Sequence, residues 1–167
     1  MKTIIKVLYI ILVFTNLNYL LADNNNLRNH ILELDTKDFN KKIVSIEKIS
    51  EIKTDLSLLT LKSILNGNLF IRKSDKKILL VEVIDRKYNA YDFFDKKELG
   101  IEKKRKLKKI KINNKIRNIL NNKIAILQLS SGTTRQKTEA IFDIIKEGNQ
   151  KTLIIINELL LKEKDKE

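Results

Sequence analysis

Leu69-Phe70-Ile71-Arg72-Lys73-Ser74-Asp75-Lys76-Lys77-Ile78-Leu79-Leu80-Val81-Glu82-Val83 is the stretch in which the apolar residues leave helical spacing. Two runs rich in β-formers, 69–72 and 78–83, flank Ser74-Asp75-Lys76-Lys77, which reads as a turn, so a β-hairpin is expected here. Tyr88, Tyr91, Phe93 and Phe94 follow as the one aromatic cluster, ending at a second turn, Leu99-Gly100. Aromatics at this spacing suit packing of the hairpin onto neighbouring helices better than stacking on a ligand.

Upstream, Phe39, Ile43, Ile46 and Ile49 recur every three or four residues, one face of a helix over 38–52, with Thr36 or Asp38 as its cap. Lys53-Thr54 breaks the pattern and Asp55 can cap a second helix, lined by Leu56, Leu59, Ile64 and Leu65 and stopped by Asn66-Gly67. Downstream, Ile116, Ile119, Leu120, Ile124 and Leu127 mark a helix from about Asn113 to Ser130-Ser131-Gly132. Thr133 with Gln136 forms a capping box for the next, with Ala140, Ile141, Ile144 and Ile145 on its buried face and Gly148 at its end. Thr152 to Leu161 favours a strand by composition and a helix by length; helix is taken. The pattern predicts a mainly α fold, a short HEAT-like stack of helical hairpins over 38–163 with a small β-hairpin insert at about 68–100.

At the N-terminus Lys2 and Lys6 precede an apolar run, Val7 to Phe14, resumed by Tyr19-Leu20-Leu21 before Ala22 and a polar stretch. This describes a secretory signal peptide over 1–22, cleaved or kept as an anchor. Residues 23–37 then form a linker and leading helix, and 164–167 a charged tail. Lys2 and Lys6 are the leader's only charged residues, so the net charge of +13 falls to +11 without it. Basic balance of this size suits an anionic surface, although heavy use of Lys, Asn and Ile with no Pro or Trp also fits an AT-rich coding bias. Export removes nucleic acid as an everyday partner.

The chain has no Cys and one histidine, His30. That excludes disulfides, thiol nucleophiles and His/Cys metal clusters, and leaves no nucleophile–base constellation. Neither an enzyme nor a cofactor is expected. In Lys103-Lys104-Arg105-Lys106-Leu107-Lys108-Lys109-Ile110-Lys111 seven of nine residues are basic, either a solvated loop or strand edge or a site for anionic headgroups. Arg72 and Lys73 beside Ser74-Asp75 suggest a charged ligand pocket or, more economically, a pair between Arg72 and a carboxylate across the hairpin, with Glu82 as the expected partner. Asn113-Asn114 can start a helix or match the donors and acceptors of a small amide.

Two segments carry a resemblance. Gly67, Leu69, Arg72, Lys73, Ser74 and Asp75 are similar to a segment D-G-x-L-x-x-R-K-S-D. Lys108-Lys109-Ile110-Lys111-Ile112-Asn113-Asn114-Lys115-Ile116-Arg117 is similar to K-K-I-R-I-N-N-R-L-R. Both belong to the N-terminal extramembrane domain of the urea-type ABC transporter permease subunit, the UrtB family. Leu99-Gly100, Leu127-Gln128-Leu129-Ser130-Ser131 and Arg135 continue the match across 66–163. The resemblance implies a HEAT-like domain on the periplasmic side of the inner membrane, joined to a permease for urea or short amides. Its partners would be the permease core and a periplasmic solute-binding protein, and Arg72, Lys73, Ser74, Asp75, Lys108, Lys109, Asn113, Asn114 and Arg117 would be its interaction positions. Beyond the leader there is no span of about 20 apolar residues, so no pore-forming half is expected in this chain. A fragment, a split gene or a free-standing periplasmic helical-repeat interaction module all remain open.

Overall fold

The computed structural model describes residues 24–131 and 134–147. The leader at 1–22, the Thr133 cap, Gly148, the element at 152–161 and the tail at 164–167 lie outside them. Helix α1 spans 24–33. It is followed by α2 (Phe39–Glu51), α3 (Asp55–Asn66), strands β1 (Leu69–Arg72), β2 (Ile78–Ile84), β3 (Lys87–Asp92) and β4 (Glu98–Glu102), a 3-10 turn at Lys104–Lys106, β5 (Leu107–Lys109), α4 (Asn114–Ser131) and α5 (Thr134–Glu147). The strands form one antiparallel sheet in the order β4-β3-β2-β1-β5. Helices and sheet share one core, so the fold is α/β, and the expected mainly helical HEAT-like stack with a small insert is overturned.

The physical reason lies in the strands the sequence hid. β1, β2 and the turn between them form as expected, but Tyr88 and Tyr91 of the aromatic cluster lie in a further strand, β3, and Phe93 and Phe94 follow it in a second turn. Leu99-Gly100, expected as a turn, lies inside β4. There Ala90 pairs with Gly100 and Tyr91 with Glu98, which leaves Leu99 as a bulged extra residue. Gly100 takes φ +81°, a left-handed conformation that glycine adopts without strain.

The second hairpin repeats the first. Arg72 N–H donates to Lys77 O and Lys76 N–H to Arg72 O; Asp92 N–H donates to Lys97 O and Lys96 N–H to Asp92 O. In each turn the Asp of Asp-Lys-Lys, Asp75 or Asp95, accepts from the amide of the second Lys. The first Lys sits at positive φ, 57° at Lys76 and 60° at Lys96.

Two apolar layers lie on the two sides of the sheet. The larger joins Leu27, Ile31 and Leu34 of the leading segment to Ile46, Ile49, Leu61, Ile64, Leu69, Ile78, Phe93, Ile110, Ile116, Leu120, Ile124 and Leu127. The smaller contains Phe70, Leu79, Val81, Ala90 and Leu107, with Tyr88 and Leu99 against it. The aromatic cluster is therefore divided. Phe93 is fully buried on the helical side, edge-on to Phe94 at 5.2 Å, whereas Tyr88 stands edge-on to Phe70 at 6.4 Å on the other.

The helix pair α2–α3 has the expected position with a rotated face. Asp38 caps α2 by accepting from Asn40 N–H at 2.8 Å. Phe39, expected inside, is 41% exposed, and the buried positions are Lys42, Ser45, Ile46, Ile49 and Ser50. Thr54 rather than Asp55 caps α3, in a reciprocal box with Ser57, and Ser57, Thr60, Leu61, Ser63 and Ile64 are buried. Each of Ser45, Ser50, Ser57 and Thr60 donates to a carbonyl three or four residues back, so burial leaves the hydroxyls satisfied. In α5, Ala140 is buried while Ile141 is exposed. No helix among the described residues is long and apolar enough to cross a membrane.

Candidate functional site

The two resemblance segments, more than thirty residues apart in sequence, are adjacent strands. β1 and β5 pair Phe70 with Lys109, Ile71 with Lys108 and Arg72 with Leu107. Lys73 extends the join, its amide donating to Lys106 O at 2.9 Å and its ammonium to Arg105 O at 2.7 Å. Arg72 is a clamp. Its Nε and Nη2 meet both oxygens of Asp75 at 2.9 and 2.7 Å, and Nη1 reaches Glu102 Oε1 at 2.9 Å. The partner across the sheet is thus Glu102 and not Glu82, which pairs with Asn89 in the β2–β3 ladder. The hydrogen bonds from Arg72 hold the Asp75 carboxyl at about 2.

Asn113 caps α4, its side chain accepting from Ile116 N–H at 2.9 Å and its carbonyl from Arg117 N–H at 2.9 Å. Asn114 and Arg117 are exposed on that first turn, as are Ser74 and Asp75 in the β1–β2 turn. Arg72, Asp75 and Asn113 therefore have local structural partners. Lys109 has one as well. A Cβ added at Gly67, where α3 ends at φ +71°, would stand 2.5 Å from Lys109 Nζ, so that ammonium lies over the negative end of the helix dipole.

Lys73, Lys108 and Lys109 come together on the rim of a cleft of about 580 Å³ between the α1–α2 connection and the β1–β5 edge. Leu34, Phe39, Ile71 and Ile110 give it apolar walls, and Lys37, Lys42 and Lys111 also line it beside its one carboxylate, Asp35, while the Lys109 ammonium is directed at Gly67. Asp35 is engaged by Lys108 and, at 3.5 Å, by Lys76. Lys42 is the residue that sequence reasoning missed. It is 3% exposed, its ammonium donating to Lys111 O at 2.6 Å and standing 5.4 Å from the Phe39 ring centre. Burial, then the neighbouring Lys108 and Lys111, push its pKa down against the opposing pull of Asp35. A lysine in an apolar i, i+3, i+4 pattern reads as a solvated flank, and only the distant carbonyl of Lys111 shows otherwise. The chemistry on offer is reception of an anionic group by the exposed Lys37 and Lys111, since Lys42, Lys73 and Lys108 are already engaged by Lys111 O, Arg105 O and Asp35.

A cation held this way stabilises little. Lys42→Met keeps the stem and removes the charge, and is expected to raise unfolding free energy by about 1–2 kcal/mol. With its folded pKa depressed, wild-type Lys42 penalises the fold at neutral pH, and the penalty fades as pH rises from that lowered value to the ordinary 10.5. Urea unfolding between neutral and alkaline pH should therefore bring wild type and variant closer together. A variant less stable than wild type at pH 7 would show that the Lys111 bond outweighs burial of the charge.

His30 lies on α1, with Nδ1 3.0 Å from Glu33 Oε2. That bond to His30 holds Glu33 below its ordinary value, helped by the Ser45 hydroxyl. Among the described residues no group of three or more His, Cys, Asp or Glu is placed to hold a metal ion. Comparison with family models, curated proteins and solved structures found no match to this chain.

Proposed function

We propose that the chain is a non-catalytic external domain of a urea-type ABC transporter permease subunit, working by contact with the permease core and the solute-binding protein. The observation that carries this reading is the pairing of the two resemblance segments as neighbouring strands, with the second running on through the Asn113 cap into α4. They form one continuous strip, and it borders the lysine-rimmed cleft. An acidic side chain or terminal carboxylate of a partner matches the cleft's cations. Urea itself is poorly matched: a ligand so small gains at best about −1.5 kcal/mol per heavy atom, and only in an enclosed polar pocket.

The test is co-purification of the full chain with the permease core and solute-binding protein of a urea transporter. Retention is expected, weakened by Lys37→Glu with Lys111→Glu, and absence of retention would overturn the reading. Calorimetry with urea and short amides is expected to show no saturable micromolar binding. Such binding would instead make the domain a solute receptor, with Asn113 and Asn114 first to be substituted.

A further inference from the structure

The basic run at 103–111 does not act as a unit. Leu107–Lys109 is committed to β5 and Lys108 to Asp35, while Lys103, Lys104 and Arg105 remain exposed. The topology carries those three to the end of the sheet where β2 turns into β3. There Val83 and Ile84 end β2 opposite Tyr88 and Lys87, and Ile101 lies opposite Asn89 on the next strand. Val83, Ile84 and Ile101 are 56%, 55% and 63% exposed. Val83 and Ile101 line one open depression with Arg86, Lys87, Lys103, Lys104 and Arg105. Five cations thus share this end of the sheet with aliphatic side chains from both of its faces, Val83 on one and Ile84 and Ile101 on the other, and nothing among the described residues covers them. The acids nearby are Asp85 in the turn, the exposed Glu82 beside Val83, which shares Asn89 as a ladder neighbour with Ile101, and Glu102, whose carboxylate is occupied by Arg72 at 2.9 Å.

We propose that this end of the sheet docks on an anionic lipid bilayer, with Val83, Ile84 and Ile101 entering the headgroup boundary and the five bases meeting lipid phosphates. Both halves of the patch fit that occupant. Aliphatics beside Lys and Arg match the layered chemistry of a bilayer surface, apolar beneath and anionic above. An acidic protein face would answer the cations and leave the aliphatics unmatched. Each base near such a surface is worth about a fivefold step in partitioning, so three of them account for a factor on the order of a hundred. The inference stands apart from the transporter reading: vesicle binding and co-purification can fail separately.

The full chain contains no tryptophan, so Ile101→Trp places a single reporter in the patch. Its emission is expected to shift to the blue with vesicles of phosphatidylcholine containing about one-third phosphatidylglycerol, and to stay unchanged with phosphatidylcholine alone. In sedimentation, Lys103→Gln/Lys104→Gln/Arg105→Gln should lose on the order of a hundredfold in partitioning to the anionic vesicles. Lys41→Gln/Lys48→Gln/Lys115→Gln, equal in charge and remote in sequence, should lose less than tenfold. Adhesion through the apolar N-terminal stretch would persist in all variants and on neutral vesicles without moving the reporter. Equal losses from the two triple variants would overturn the proposal, as would a silent reporter on anionic vesicles. A shift with polyglutamate but not with vesicles would overturn it in favour of an acidic protein.

Discussion

Phe93→Ala is expected to destabilise the protein by about 3–5 kcal/mol, a large part of what holds a domain of this size together. Phe93 is the junction between sheet and helices. Its ring is fully buried in the larger core beside Phe94, its amide donates to Ile78 O at 3.1 Å, and its carbonyl takes the Lys96 ammonium. Truncation would open a cavity in the larger core beside Phe94. Phe93→Leu keeps most of the volume and is expected to cost about 1 kcal/mol. Urea denaturation of both variants measures this. Equal small losses would mean that the hairpin turn and the helices are not mechanically joined at this ring.

Asp92→Ala should be the costliest change to a polar residue, about 2–3 kcal/mol. Asp92 is 5% exposed, accepts from Phe94 N–H at 2.9 Å and meets Lys77 at 2.9 Å, tying the second turn to the first. Burial alone would push the carboxyl up, but Lys77 and the amides of Phe94 and Asp95 outweigh it and leave it below the ordinary 3.8. Its contribution is therefore fully present above that value and lost as pH falls through the lowered folded one. Asp75, held at about 2, adds an effect of the same sign in the same acidic range, reduced by its exposure to solvent. Acid titration of stability should consequently be steeper in wild type than in Asp92→Ala as pH falls below the ordinary 3.8. Parallel curves would mean that Asp92 is anchored by shape alone.

The elements that sequence reasoning found are those whose patterns are local. The 69–83 hairpin is marked by β-formers around a polar turn, α4 by its apolar spacing and the Asn113 cap, and the α2–α3 pair by breaks at Lys53-Thr54 and Asn66-Gly67. What escaped is what only tertiary contact reveals. Asp95-Lys96-Lys97 has the same three residues as Asp75-Lys76-Lys77, but Phe93-Phe94 before it and Glu98 after it disguise the second hairpin as an aromatic patch. β5, two of whose three residues are lysine, falls in the basic run that reads either as a solvated loop or as a strand edge, and its pairing with β1 is a tertiary fact. Ser45, Ser57 and Thr60 lie inside and Phe39 outside, with the buried hydroxyls satisfied by carbonyls of their own helices or the preceding turn. Of the residues singled out for function, Arg72 clamps Asp75 and Glu102, and Asn113 caps α4. Lys42 could have been found only by knowing that Lys111 would arrive beside it.

An open sheet has two unsatisfied margins, and each invites a strand from another molecule. Here one margin is β5, three residues long with lysines at two of them, and the other is β4, bent by the bulge at Leu99-Gly100 and bearing Glu98 and Glu102. Neither gives an incoming chain a straight, uncharged run of backbone to continue. The charge that makes this polypeptide so basic therefore also guards against amyloid-like growth: copies crowded together would meet short, kinked and charged borders, and the ladder of hydrogen bonds would stop at five strands.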